Sequence, residues 1–273
     1  MRGNLVLGNL IRPAKANSKY FPDRRNKAPP RQFIFFTGLP AGGILAAMTQ
    51  LAERLRGKFI VLDGPDGSGK STQATRLADF LSGQGCQVLC LRDPGDTQLG
   101  EGIRQVLLQG SARISPMAET LLFMASRAQL VQEKIRPALL AGKTVICDRF
   151  VSSTLAYQGA SGVDRLIILD LAEAAVGGIW PDLTVILDVP AKLGLDRTGQ
   201  RNQLLMRKKA APGPTLFGDR FEARSLEYHE AVRRIFRELV KEYPHPAAVV
   251  DGSQPAEQVT EQIIELLQRT FER

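Results

Sequence analysis

The stretch Lys58-Phe59-Ile60-Val61-Leu62-Asp63-Gly64-Pro65-Asp66-Gly67-Ser68-Gly69-Lys70-Ser71-Thr72 decides the fold. Its first half is a short apolar run, as expected of a strand buried on both faces. Its second half, Gly64 to Ser71, matches G-x-x-x-x-G-K-[ST]. Behind it Ala74, Leu77, Ala78 and Leu81 recur at helical spacing, and Gly83 and Gly85 supply a stop. Strand, glycine loop and helix in this order make a phosphate cradle. The glycines let successive backbone N–H groups turn inward around phosphate oxygens, and the helix start adds unpaired N–H groups and partial positive charge. Lys70 can then reach the β- and γ-phosphates of a nucleoside triphosphate, and the Ser71 hydroxyl can ligate Mg²⁺. The candidate triphosphate-binding residues are Gly64, Pro65, Asp66, Gly67, Ser68, Gly69, Lys70, Ser71 and Thr72. Asp66 is an unexpected acid beside bound phosphates, where like charges repel. Either a partner compensates it, a sugar hydroxyl being one candidate, or it is a solvated loop tip.

Outward from this motif the same alternation continues. Four more apolar runs, QVLCLRD, KTVICDRF, LTVILDV and AAVVDGS, each reach a charged or polar residue near their end. Helical periods separate them, among them 117–141 with Pro137 in its last turn, 221–242 and 255–271. Strand and helix repeated this way predict an α/β fold with a five-stranded parallel sheet and helices on both faces. The segment 191–220 reads as a short insertion.

The chain has 273 residues, 44% of them hydrophobic and 23% charged, which is enough to bury a core and excludes wholesale disorder. No run approaches the ~18 apolar residues of a spanning helix, so no membrane association is expected. Three cysteines, Cys86, Cys90 and Cys147, in apolar settings point to a reducing cytoplasm rather than a disulfide or zinc framework, and Cys86 and Cys90 read as small buried hydrophobes. The net charge of +8 is uneven. Eight of the 36 basic residues and one of the 28 acidic ones fall in 1–47, which leaves 48–273 with 28 and 27. A nearly neutral body does not recruit a polyanion, so no nucleic-acid partner is expected. Residues 1–47 read as a basic, disordered extension, or as sequence ahead of a start at Met48. A secretory signal is disfavoured by the long stretch before the apolar patch, while a transit peptide fits the basic, acid-poor composition although Ser is scarce. The domain is expected to span 48–273.

Three further constellations lie near strand ends or on the long helix. Asp148-Arg149-Phe150-Val151-Ser152-Ser153-Thr154-Leu155-Ala156-Tyr157-Gln158-Gly159 follows the third strand, where a parallel sheet presents its ligand residues. An arginine there is a permanently charged fork suited to phosphate. Arg92-Asp93-Pro94-Gly95-Asp96-Thr97 leads to Arg104, and the long helix carries Leu121-Leu122-Phe123-Met124-Ala125-Ser126-Arg127-Ala128-Gln129. Taken singly, Phe123 could be core, Arg127 a solvated helix residue and Gln158 a loop cap.

Together these segments resemble the thymidylate kinase family over essentially all of 57–271. The resemblance rests on DGPDGSGKSTQ, RDPGDTQLGEGIR, LLFMASRAQ, IRPALLAGKTVICDRFVSSTLAYQG, PDLTVILDV and DRFEARSLEYHEAV. It implies a P-loop kinase fold, ATP as donor with Mg²⁺, dTMP as acceptor, dTDP as product, and a homodimer. It also implies that Phe123 stacks on the thymine ring, that Arg127 and Gln158 bond its edge, and that Arg104 and Arg149 hold the monophosphate. Tyr157 would pack on the sugar, Asp66 would take its 3′-hydroxyl, Thr154 would complete the acceptor site, and Asp93 would join Ser71 near the metal. Lys70, Asp148 and Arg149 are the catalytic candidates. Members supply a further arginine from the phosphate loop or from a lid. Position 67 is glycine here, so the lid is expected to supply it, with Arg197 and Arg201 of 191–220 the candidates. This sequence departs from the family pattern at Asp93, Asp96, Ser126, Ser152 and Thr154. Another nucleoside monophosphate kinase, a non-catalytic P-loop switch and a DNA-binding ATPase are the alternatives. No N-K-x-D guanine-reading segment supports a switch.

Overall fold

The computed structural model describes residues 51–109, 113–207 and 224–272, with the side chains of 109 and 201–207 left aside. The expected extension 1–47 and the second part of the insertion, 208–220, lie outside the described residues, as does the side chain of Arg201.

Five strands form one sheet: β1 (Phe59–Asp63), β2 (Val88–Arg92), β3 (Thr144–Asp148), β4 (Leu183–Asp188) and β5 (Ala247–Asp251). Their order is β2-β3-β1-β4-β5, and every neighbouring pair is parallel. Phe59 stands opposite Val145 on one side of β1, and Ile60 opposite Leu183 on the other. Every residue of β1 is buried because successive side chains enter different cores. Phe59 and Val61 join Val145, Cys147, Phe123, Phe150 and Phe236 on one face. Ile60 and Leu62 join Leu77, Leu81, Ile146, Val185 and Ile263 on the other. The edge strand β2 is less covered, and Cys90 on it is exposed, contrary to the sequence expectation; Cys86 and Cys147 are buried.

The helices are α1 (Lys70–Gly83), α2 (Gln98–Gln109), α3 (Pro116–Leu130), α4 (Arg136–Leu140), α5 (Val151–Ala160), α6 (Arg165–Val176), α7 (Ala191–Arg207), α8 (Leu226–Glu242) and α9 (Ala256–Thr270). The single helix expected over 117–141 is interrupted by a π-helical turn, Val131–Ile135, with the Arg136 N–H bonded to the Val131 carbonyl. Pro137 has no N–H and would crowd the carbonyl four residues back in a continuous α-helix, and the widened turn precedes it. The first part of the predicted insertion is α7.

Because the chain passes from β1 to β2 toward one edge and later from β3 past β1 to β4 toward the other, the crossovers change direction about β1. A crevice opens at such a switch point, at the carboxyl ends of the strands. Asp63, Arg92, Asp148, Asp188 and Asp251 end the five strands there.

Candidate active site

The glycine loop leads from β1 into α1. Gly69 precedes α1 with φ 94° and no side-chain cap, so the N–H groups of the first turn are left for an anion. Lys70 is 4% exposed, and its ammonium donates to the carbonyls of Gly64 (3.0 Å) and Pro65 (2.7 Å) and to Ser68 Oγ (3.2 Å). Burial, followed by the positive charge of Arg149, lowers its pKa to about 8. Gly67 has φ 71°, and a Cβ there would stand 2.0 Å from the Gly194 carbonyl oxygen. The start of α7 thus lies directly on the loop, which leaves no room for any side chain at 67.

Arg149 is the centre of the site. It is 1% exposed and holds a left-handed φ of 75°, an outlier typical of functional positions. One terminal nitrogen donates to the Gly64 carbonyl (3.1 Å) and Ser153 Oγ (2.9 Å), the other to Asp66 Oδ1 (2.6 Å) and the Tyr157 hydroxyl (3.4 Å). Asp66 therefore has a compensating cation, and its Oδ2 is buried with no described hydrogen-bond partner. Burial works against the charge on Arg149, but Tyr157, Asp66, Asp63 and Asp148 outweigh it and raise the pKa above the ordinary arginine value. Lys70 and Arg149 share one acceptor, the Gly64 carbonyl, so the two cations flank the mouth of the loop.

Beside them, Ser71 Oγ donates to Asp148 Oδ2 (2.5 Å), while Asp148 Oδ1 is buried without a partner. Across the β2–β3 pair the Asp93 N–H bonds to the Asp148 carbonyl, so the two acids stand on adjacent strand ends. Asp93 Oδ2 accepts from Arg127 Nε (2.6 Å), and Oδ1 is also buried and unpartnered. Burial raises the Asp93 pKa, against the opposing pull of Arg127. A hydroxyl and two carboxylates, each acid with an open oxygen, fit a hard cation that takes oxygen ligands and keeps part of its hydration shell.

A pocket of about 300 Å³ is lined by residues 66–73, Arg149, Arg197, Thr198, Gly252, Gln254, Ala256 and Val259. That size is in the range of ligand clefts. Arg197 donates to the carbonyls of Gly252 (2.8 Å) and Ser253 (3.0 Å) and reaches that of Gly67 (3.5 Å), which ties α7 to the loop and to the end of β5.

The other half of the site lies between α3 and α5. On α3, residues 119, 123 and 127 follow at four-residue spacing and share one face. Arg127 donates to Asp93, to Met124 Sδ (3.2 Å), to the Phe150 carbonyl (3.1 Å) and to Thr154 Oγ1 (3.1 Å). Glu119 Oε2 accepts from Gln158 Nε2 (3.3 Å). These two cross-helix links, one turn to either side, bracket Phe123, which is 3% exposed. Tyr157 is buried against Phe236, and burial pushes its phenol pKa well up. Arg104 donates to the Pro94 carbonyl (2.9 Å), and burial, then Arg92, lowers its pKa to about 10. Asp96 turns back on its own turn, accepting the Arg92 N–H (2.5 Å).

Three residues of this architecture escaped the sequence reading. Asp63 accepts from the Gly64 N–H, Ser152 Oγ (2.5 Å) and Ser153 Oγ (2.7 Å), with Arg149 at 3.6 Å. Its position as the last strand residue before the glycine loop was the available signal. Glu119 carried only its spacing from Phe123 and Arg127. Arg224, which pairs with Glu119 at 3.4 Å and lies over the Tyr228 ring, carried only its place within DRFEARSLEYHEAV.

A parallel sheet, a glycine loop with its lysine, and a second buried cation aimed at the same mouth define a P-loop kinase. The family model of thymidylate kinase matches residues 62–263. The thymidylate kinase of Desulfovibrio desulfuricans is 44% identical over 203 residues, 74% of this chain and 90% of that protein. That of Afipia carboxidovorans is 45% identical over 215 residues (78% and 90%), and that of a Thermoanaerobacter species 38% over 218 (79% and 99%). The chain belongs to the thymidylate kinase family, enzymes that phosphorylate dTMP to dTDP at the expense of ATP. Among the described residues no helix is long and apolar enough to cross a membrane.

Proposed function

We propose that this chain performs the family reaction with a division of labour between the two halves just described. The cradle at 64–72 holds the ATP phosphates, Lys70 meets the β- and γ-oxygens, and Arg197, as a lid arginine, closes over the donor pocket. Arg149 is the group common to both sides, and the observation that carries the reading is its bond to the carbonyl that also receives Lys70. Charge spreading over the moving phosphoryl group then meets two fixed cations in a water-poor mouth, where such stabilisation is strongest. Arg104 joins Arg149 on the dTMP phosphate. Phe123 stacks on the base, Arg127 and Gln158 meet its edge, Thr154 steadies Arg127, Tyr157 packs on the sugar, and Asp66 Oδ2 accepts its 3′-hydroxyl. Ser71, Asp148 and Asp93 would hold Mg²⁺ together with the phosphates, and the ion would supply further charge neutralisation when bound.

The kinase unit is taken as 48–273, with the lid at 191–220 and Arg201 as its second arginine. The enzyme is further read as a cytoplasmic homodimer. Leu99 and Val106 on α2, Met117 and Leu121 on α3, and Leu166 and Ile167 on α6 are large exposed apolar residues on neighbouring helices, a pattern that suits a second copy. Light scattering checks this: Leu121→Glu should give a monomer.

A coupled ADP-release assay across the nucleoside monophosphates tests the function. Preference for dTMP is expected. Preference for AMP, CMP or dGMP would overturn the acceptor assignment, and nucleotide binding without transfer would favour a switch.

A further inference from the structure

We propose that Glu119, through its hold on the Gln158 amide, is the positioning residue that makes the acceptor pocket read thymine rather than cytosine. The inference rests on the base-edge role assigned to Gln158 above. Glu119 is 1% exposed on α3, and Gln158 is 1% exposed on α5. A carboxylate accepts hydrogen bonds and cannot donate them, so of the two ends of the Gln158 amide only the NH₂ can face it. Gln158 Nε2 does so, at 3.3 Å from Glu119 Oε2. The flip of the amide is therefore fixed by its neighbour. Its Oε1 is turned to the other side, and among the described residues no donor meets it. Arg224, 3.4 Å and 3.5 Å from the two oxygens of Glu119, supplies the carboxylate with a cation and holds it in place.

The consequence is a sign. An acceptor at Gln158 Oε1 matches the N3–H of thymine. Cytosine has an unprotonated N3 at that position, and two acceptors would then oppose each other. Arg127 is donor-only, and its bonds to Asp93, Met124, Phe150 and Thr154 leave one N–H of its outer fork available. That donor matches the O4 of thymine and opposes the amino group of cytosine. Wrong pairing in a buried site leaves polar groups unsatisfied, which is the strongest source of discrimination available to such a pocket. If Glu119 were an amide, it could accept or donate, and Gln158 could turn its NH₂ toward cytosine N3.

The test compares kcat/KM for dTMP and dCMP in Glu119→Gln, Gln158→Leu and the double variant, in the full-length enzyme with saturating ATP. Glu119→Gln should lower the dTMP-to-dCMP preference about tenfold or more, mainly through KM with kcat retained. Gln158→Leu should lower it as well, and Glu119→Gln should add nothing further in that background, because it acts through the amide. A purely structural role would lower both substrates together, leave the ratio unchanged, and overturn the inference, as would full additivity. Gln158→Leu with an unchanged ratio would overturn the base-edge role itself, and this inference with it. If Glu119→Gln does not fold, Glu119→Asp, which keeps the charge but withdraws it by one methylene, should shift the ratio in the same direction; an unchanged ratio there is equally fatal.

Discussion

The two halves of the site are built from different materials. The donor half is mostly backbone: N–H groups at the start of α1, carbonyls that receive Lys70 and Arg197, and a loop so close to α7 that Gly67 and Gly194 nearly touch. The acceptor half is mostly side chain on side chain, with Asp93–Arg127, Glu119–Gln158 and Arg127–Thr154 bridging buried surfaces. Backbone geometry tolerates changes of side chain but not the addition of a Cβ. Buried polar networks do the opposite: they accept a change of shape more readily than the loss of one partner. Substitutions should therefore separate cleanly by half, and Arg149, which belongs to both, should not.

The largest effect is expected there. Arg149→Ala removes the partner of buried Asp66 and one of the two cations at the loop mouth. Steady-state kinetics should show kcat/KM down by about a thousandfold or more for both substrates. Chemical denaturation should show a loss of about 3–5 kcal/mol, the usual result of leaving a buried charge unpaired. Arg149→Lys keeps the charge but not the fork, and it should recover stability more than rate. Kinetics unchanged for either substrate would break the claim that the halves meet at this residue.

Next comes Gly67→Ala. A left-handed φ costs an L-residue about 1–2 kcal/mol, and here the new methyl also meets the Gly194 carbonyl. KM for ATP should rise by about 10- to 100-fold as α7 is pushed off the loop, while KM for dTMP stays put. A dTMP-only effect would mean that the contact serves the acceptor half.

The same contrast decides what could be read without a structure. Apolar runs such as FIVLD and TVICD announce strands because burial on both faces leaves no polar alternation to confuse them, and the glycine loop is legible because backbone function requires particular residue types at particular spacing. The acceptor half has no such grammar. That Asp66 is met by an arginine and that Glu119 holds an amide are facts about partners distant in sequence, while Asp96 folds back on its own turn because of the left-handed backbone it adopts there. The exposure of Cys90 was hidden because it depends on what packs alongside an edge strand, and the π turn because Pro137 marks a break in the helix without saying how the backbone accommodates it.

A smaller effect sharpens the donor side. With its pKa lowered to about 8, Lys70 loses its proton in the free enzyme above that pH, and the triphosphate loses a cation. kcat/KM for ATP should then fall about tenfold between pH 8 and 9 to 9.5. Stability moves the other way. An unfolded Lys70 keeps its ordinary, higher pKa, so between about 8 and 10.5 the unfolded state binds more protons and this group's contribution to stability rises with pH. A melting temperature that fell together with kcat/KM would assign the loss to unfolding and remove Lys70 from the explanation.

The smallest effect belongs to the acceptor side. Thr154 Oγ1 is one of several acceptors around Arg127, and Asp93 and the Phe150 carbonyl remain if it is removed. A hydrogen bond to a charged group contributes about 1.5–3 kcal/mol, and the surviving partners hold the loss in Thr154→Val to the low end or below. KM for dTMP should rise about fivefold, with kcat and KM for ATP unchanged. A rise in KM for ATP instead would show that strain in the α3–α5 network reaches the glycine loop, and the separation of the two halves would have to be abandoned even if every larger substitution behaved as expected.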